Sequence, residues 1–227
     1  MIRRIAGVLQ RPRVTFAELV TRPVWVDTWF VILVVWTLCG AWLLSTNVGQ
    51  QALIDERVRV IETLGGTVSD QAYAALRATP PWWVYPTSGG RLLLTPIMTL
   101  LAAVAVTLAA RADGTRATIW QGLAVAVHAS VPLLIGQLIA TPLHFVRESL
   151  TSPLNLATFL PLMDSGTLPA LFFGTMDFFV LWWAGLLALG VAALTGRRAR
   201  RYAWPLVAVY LGFAGVVAAV IAVVGGA

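Results

Sequence analysis

Three polar side chains, Asp177, His128 and Gln137, each stand inside a long apolar run, where water is scarce. An ionisable group deep in a bilayer costs at least about 2.5 kcal/mol, so it faces protein, a partner or a water-filled path. Asp177 supports two readings: a hydrogen-bond hub between helices, or a group lining a transport or ligand cavity. His128 reads first as a packed, hydrogen-bonded residue, with a proton or metal role as the alternative. At 100° per residue Gln121 and His128 share one helix face, while Ser130, Gln137 and Thr141 line the roughly opposite one. Pro132 frees a backbone carbonyl near His128.

Other chemistry finds no support in the sequence. Two His, one Cys and few acids offer no ligand cluster of recognisable spacing, so neither a metal nor a cofactor is expected. No Ser sits in a nucleophile elbow, no Gly-rich loop follows a strand, and no H-E-x-x-H occurs. Nothing here demands an enzyme. The lone Cys39 allows no internal disulfide and reads as helix packing.

The elements that must position these residues are membrane spans. The chain of 227 residues is 59% hydrophobic and only 11% charged, which excludes an ordinary soluble domain. Apolar runs long enough to cross a bilayer, about 20 residues each, lie at 24–44, 91–110, 118–141, 167–195 and 203–224. The expected fold class is all-α, a polytopic membrane protein with a bundle of five transmembrane helices and a helical outer loop. The first span does not read as a cleaved signal peptide, because polar, Arg-bearing residues precede it and no A-x-A-like site follows.

The formal charge is +6, and all 16 basic residues are Arg. Arg3, Arg4, Arg11, Arg13 and Arg22 precede the first span, Arg111 and Arg116 follow the second, and Arg197, Arg198, Arg200 and Arg201 follow the fourth. The intervening loops carry mixed charge. This asymmetry predicts a cytoplasmic N-terminus and an outside C-terminus. Arg3, Arg4, Arg11, Arg197, Arg198, Arg200 and Arg201 are the expected membrane-surface cations. Clustering at span ends, without interleaved aromatics, argues against nucleic acid as a partner. An odd span count also argues against a self-contained inverted-repeat transporter.

Between the spans, three segments carry their own structure. Residues 1–23 form a cytoplasmic amphipathic segment, with Ile2, Ile5, Val8 and Leu9 on one face, suited to an anionic leaflet. After Pro12, Thr15 and Glu18 are spaced as a capping box. Residues 46–90 read as a helical hairpin: Ile54, Val58, Ile61 and Leu64 recur at helical spacing, Gly65-Gly66 ends the first helix, and Ser69 caps a second carrying Ala72, Tyr73 and Leu76. Pro80-Pro81-Trp82-Trp83 then suits the membrane interface. Within 143–166, Ser152-Pro153 predicts the start of a short interfacial or re-entrant helix carrying Leu156, Phe159, Leu160 and Met163.

On the fourth span Gly174, Asp177, Gly185, Ala188 and Ala192 fall within an arc of about 80°. Gly174, Gly185 and Ala188 are therefore the expected packing face, with Asp177 pointing inward.

Ser152-Pro153-Leu154-Asn155 with Leu160-Pro161, then Met176-Asp177-Phe178-Phe179-Val180-Leu181-Trp182-Trp183 with Leu187-Ala188-Leu189-Gly190, then a basic loop and Tyr202-Ala203-Trp204, resemble the Yip domain family. These are the Ypt/Rab-interacting membrane proteins, here in their bacterial branch. The resemblance covers most of the chain, including Arg11-Pro12 with Thr15-Phe16. It implies five spans with a cytoplasmic N-terminus and carries no catalytic residues. Eukaryotic members are tied to prenylated Rab GTPases. The Lys-free, Ala/Val/Leu-rich composition and short N-terminal region here make a Rab-type GTPase a doubtful partner and place the chain in a bacterial inner (plasma) membrane.

The expected function is a non-enzymatic membrane adaptor or organiser that binds other membrane components through its helices. Its expected partners are the lipid bilayer and either a membrane protein or a second copy of the chain. One alternative is a small transporter or channel subunit with a polar route past Asp177, His128 and Gln137. The other is a lipid-binding or lipid-handling protein using the arginines.

Overall fold

The computed structural model describes residues 1–63, 65–78, 84–160 and 167–225. Leu64, Pro80, Pro81, Trp82, Trp83, Pro161, Met163 and Asp164 lie outside the described residues, and with them the interfacial Trp pair.

The described elements are helices: α1 (Ile2–Gln10), α2 (Pro12–Thr21), α3 (Val26–Ser45), α4 (Asn47–Thr63), α5 (Asp70–Ala78), α6 (Val84–Ala112), α7 (Ile119–Ala129), α8 (Val131–Arg147), α9 (Leu168–Thr175), α10 (Phe178–Thr195) and α11 (Arg200–Gly225). Among the described residues the only extended pairing is an isolated bridge between Asn155 and Asp177.

Among the described residues five stretches are long and apolar enough to cross a membrane: Val26–Ser45, Leu93–Ala112, Ile119–Arg147, Phe178–Thr195 and Arg200–Val224. The protein is an all-α, multi-pass membrane protein. Large apolar side chains on these helices, such as Leu93 at 72%, Val209 at 73% and Val216 at 63% exposure, are open to the lipid.

The third span is α7 and α8 joined at Ser130, whose hydroxyl donates to the Ala126 carbonyl at 2.9 Å. Pro132 cannot donate to the carbonyl four residues back, that of His128, which weakens the ladder at this joint. The fourth span corrects the expectation of one helix over 167–195. The chain makes the eight-residue α9, leaves helical geometry at Met176, and starts again as α10 at Phe178. At 1.5 Å per residue α9 is about 12 Å long, too short to cross a bilayer.

The helices fall into two compact units. The first comprises Met1–Trp36, Arg91–Ile135 and Phe179–Val209, and the second Thr37–Gly90, Gly136–Phe178 and Tyr210–Ala227.

In the first unit the N-terminal helices lie on protein. Val8 and Phe16 are fully buried and join Leu19, Val106, Ala124, Val125, Leu187 and Val191 in one core. Ile5 and Leu9 pack against the same core, whereas Ile2 is 77% exposed. The apolar face of α1 thus meets helices rather than the leaflet expected for it. Pro12, with its pre-set φ, occupies the first turn of α2, so that helix starts ahead of Thr15. The capping box expected at Thr15 and Glu18 does not form; Thr15 is buried inside the helix and its hydroxyl donates to the Arg11 carbonyl at 3.2 Å.

A capping box does open α7. The Thr118 hydroxyl accepts from the Gln121 amide at 3.3 Å, and the Gln121 side chain accepts from the Thr118 amide at 2.9 Å.

In the second unit, Thr46 ends α3 by donating to the Leu43 carbonyl at 2.7 Å and starts α4 by accepting from the Gly49 amide at 3.0 Å. The turn after α4 needs a left-handed residue and uses Gly65 at φ 77°. Ser69 caps α5 by accepting from the Ala72 amide at 3.2 Å. Across the pair, Gln51 donates to the Tyr73 hydroxyl at 2.7 Å, and that hydroxyl donates to Asp55 at 2.7 Å. The Asp55 carboxylate raises the Tyr73 pKa above its ordinary value, chiefly through this hydrogen bond.

Candidate functional site

The break between α9 and α10 is a built polar site in the second unit. Interrupting a helix strands backbone groups, which must find partners elsewhere in the protein. Residues 154–156 supply them. The Leu156 amide donates to the Met176 carbonyl at 2.8 Å, and the Phe178 amide reaches the Leu154 carbonyl at 3.5 Å. From α11, the Tyr210 hydroxyl accepts from the Asp177 amide at 2.8 Å and donates to the Thr175 carbonyl at 3.1 Å. The Asp177 carboxylate accepts from the Ser152 hydroxyl at 3.2 Å.

Asn155 holds the facing segment in shape. Its side-chain oxygen accepts from the Thr158 amide and hydroxyl, each at 2.9 Å, and its amide group donates to the Ser152 carbonyl at 2.8 Å. Asn155 therefore caps a four-residue 3-10 turn, Leu156–Phe159, where a helix starting at Ser152 was expected. The Ser152 hydroxyl serves Asp177 instead of a helix start.

His128 belongs to the first unit and has no exposed surface. Its Nδ1 lies 2.9 Å from the Ala124 carbonyl, and its Nε2 lies 3.2 Å from the hydroxyl of Thr28, itself fully buried on α3. A carbonyl can only accept, so in the neutral ring Nδ1 carries the proton and Nε2 accepts from Thr28. Gln121, one face-repeat earlier, donates to the Val20 carbonyl at 2.9 Å and ties α7 to the end of α2. Gln137, in the second unit, makes a local pair: its side-chain amide donates to the Thr141 hydroxyl at 2.9 Å, which donates to the Gln137 carbonyl at 2.7 Å. Asp177, His128 and Gln137 are thus engaged with different partners. Among the described residues no group of three His, Cys, Asp or Glu could hold a metal.

The glycines sort by contact. A Cβ on Gly190 would run into Val125 Cγ1 and one on Gly122 into Thr107, so here α10 meets α7, and α7 meets α6, at close range. Gly174 and Gly185 have no atom within 4 Å of such a Cβ. Ala188 is fully buried. The arc drawn through Gly174, Asp177 and Gly185 assumed an unbroken helix, and the break at Met176 removes that register.

The arginines sort by charge. Arg4 is ion-paired with Asp27 at 2.7 Å and also donates to the Val24 carbonyl at 3.3 Å, latching α1 to the start of α3. Arg201 is paired with Asp113 at 2.5 Å, and the Tyr202 hydroxyl donates to the same carboxylate. Among the described residues Arg3, Arg11, Arg197, Arg198 and Arg200 form no ion pair.

Sequence reading passed over Thr28, Tyr210 and Asp113. Asp113 had a signal, being the lone acid in an Arg-rich loop; Thr28 and Tyr210 had none, because their partners lie far along the chain.

No curated protein and no solved structure matches the chain. A family does, over residues 6–222, nearly the whole length, and its description is the Yip1 domain. Ser152, Leu154, Asn155 and Asp177, from the strings that suggested that family, are among the residues bonded across the break, and the chain belongs to the Yip1 domain family.

Proposed function

We propose that this protein is a non-enzymatic membrane adaptor or organiser of the Yip type, binding other membrane proteins or a second copy of itself through its helices. In this reading it sits in a bacterial inner membrane, with residues 1–23 cytoplasmic and the C-terminus outside. The observation that carries the reading is the pairing of the polar groups in and beside the apolar spans. His128 uses both ring nitrogens within the chain, Asp177 accepts from Ser152, and Gln137 bonds Thr141. A conduction route needs such groups facing water, whereas a scaffold needs them satisfied.

The test is cysteine accessibility at positions 128, 137 and 177, in a Cys39→Ser background, on protein kept in native-lipid nanodiscs, with mass spectrometry of what co-purifies. The proposal expects no labelling by a membrane-impermeant reagent, together with a stoichiometric protein partner or self-association. Labelling of all three positions without any protein partner would replace it with a transporter.

A further inference from the structure

Where α10 ends and α11 begins, the chain forms a cleft of about 550 Å³ lined by Arg13 and Ala17 of α2, Leu189, Ala192 and Ala193 of α10, and the turn Gly196–Arg200. That size is in the range of small-ligand sites. Four of its lining residues are exposed arginines, Arg13, Arg197, Arg198 and Arg200, and among the described residues none is ion-paired. The next arginine, Arg201, already has Asp113. No acidic residue lines the cleft.

A cluster of unneutralised arginines is stable beside a compensating anion, and guanidinium groups match phosphate oxygens in geometry as well as charge. The floor decides which phosphate. Leu189, Ala192 and Ala193 belong to the last turns of a helix long and apolar enough to cross a membrane, so the cleft that carries the arginines also carries apolar side chains at the end of a span. A soluble phosphate compound would leave that surface unused, whereas a lipid places its phosphate at the rim and its chains along the floor.

We infer that this cleft is a binding site for the phosphate headgroup of an anionic phospholipid, held by Arg13, Arg197, Arg198 and Arg200. The site joins α2 to the α10–α11 turn through the lipid, so the N-terminal helices sense the charge of the leaflet at this point. It stands independently of the adaptor reading.

The experiment uses the full chain in nanodiscs of phosphatidylcholine containing a minor fraction of phosphatidylglycerol that bears a photoactivatable group on its acyl chain. The wild type should crosslink to the segment around Leu189–Ala193. In the Arg13→Gln/Arg198→Gln double variant the crosslinking should fall about 25-fold, since each arginine near an anionic surface is worth about one factor of five. The Arg13→Lys/Arg198→Lys variant should retain part of it, and Arg116→Gln all of it. Crosslinking spread evenly over the spans, or unchanged in the Gln double variant, would overturn the site. Loss of crosslinking on adding inorganic phosphate, at constant ionic strength, would overturn the lipid assignment in favour of a soluble phosphate ligand. Retained monodispersity of the double variant separates these outcomes from misfolding.

Discussion

The hydroxyl of Tyr210 fills the gap in the backbone ladder beside Asp177, accepting from its amide at 2.8 Å and donating to the Thr175 carbonyl at 3.1 Å. One side-chain oxygen thereby stands in for the helical bonds that the break removes. Tyr210→Phe keeps the ring and deletes both bonds, so it should destabilise the protein by about 1–2 kcal/mol. Thermal unfolding in nanodiscs measures this, and an unchanged Tm would show the hydroxyl to be dispensable.

Asp177 itself should tolerate amide but not hydrocarbon. Asp177→Asn retains an acceptor for Ser152 and should unfold close to the wild type, whereas Asp177→Leu should lose on the order of 1 kcal/mol. Equal stability of wild type and the Leu variant would remove Asp177 from the structural hub.

The Thr28–His128 contact lends itself to a double-mutant cycle, because both residues are fully buried. Thr28→Val and His128→Leu each leave one buried polar group unpartnered and should each cost about 1–3 kcal/mol. The double variant leaves neither, so its cost should be smaller than the sum by roughly 0.5–2 kcal/mol. Strict additivity in denaturant titrations would mean that the 3.2 Å contact carries no coupling energy.

Two glycines on α10 should respond in opposite ways to the same substitution. Gly190→Ala forces its methyl against Val125 and should cost about 1–3 kcal/mol, partly recovered by adding Val125→Ala. Gly185→Ala meets open space and gains helix propensity, so it should be neutral or stabilising by up to about 1 kcal/mol. Comparison of Tm values for the three variants decides the matter.

Tyr73 carries a pH signature. Hydrogen bonding to the Asp55 carboxylate raises its pKa, so the neutral phenol is favoured in the folded hairpin. That contribution is fully present below the ordinary tyrosine pKa of about 10 and is lost as pH rises through the raised value. Ultraviolet difference titration of wild type against Asp55→Asn should show this tyrosine ionising at lower pH in the variant.

The five spans were legible because an apolar run of sufficient length has few other uses, and the windows read from sequence overlap the observed helices throughout. The break at Met176–Asp177 was not. No Pro or Gly stands at 176–178, and hydropathy runs on across it; the break is decided by Tyr210 and by residues 154–156, distant in sequence. The amphipathic character of α1 was equally plain, yet periodicity cannot say whether a leaflet or a protein core covers an apolar face. On α10 the same limit hid which small residues meet a neighbour, since in a bilayer the lipid-facing and protein-facing sides are both apolar. The capping box expected at Thr15 failed because Pro12 starts α2 early, while the one that forms, at Thr118, was not singled out from the sequence.

The dependence of the fourth span on the fifth imposes an order on biogenesis. When α10 has entered the bilayer and α11 is still inside the ribosome, the Asp177 amide and the Thr175 carbonyl lack their Tyr210 partner. The nascent chain at that stage holds an incompletely bonded backbone in the membrane. Synthesis of the last helix is the step that completes these bonds.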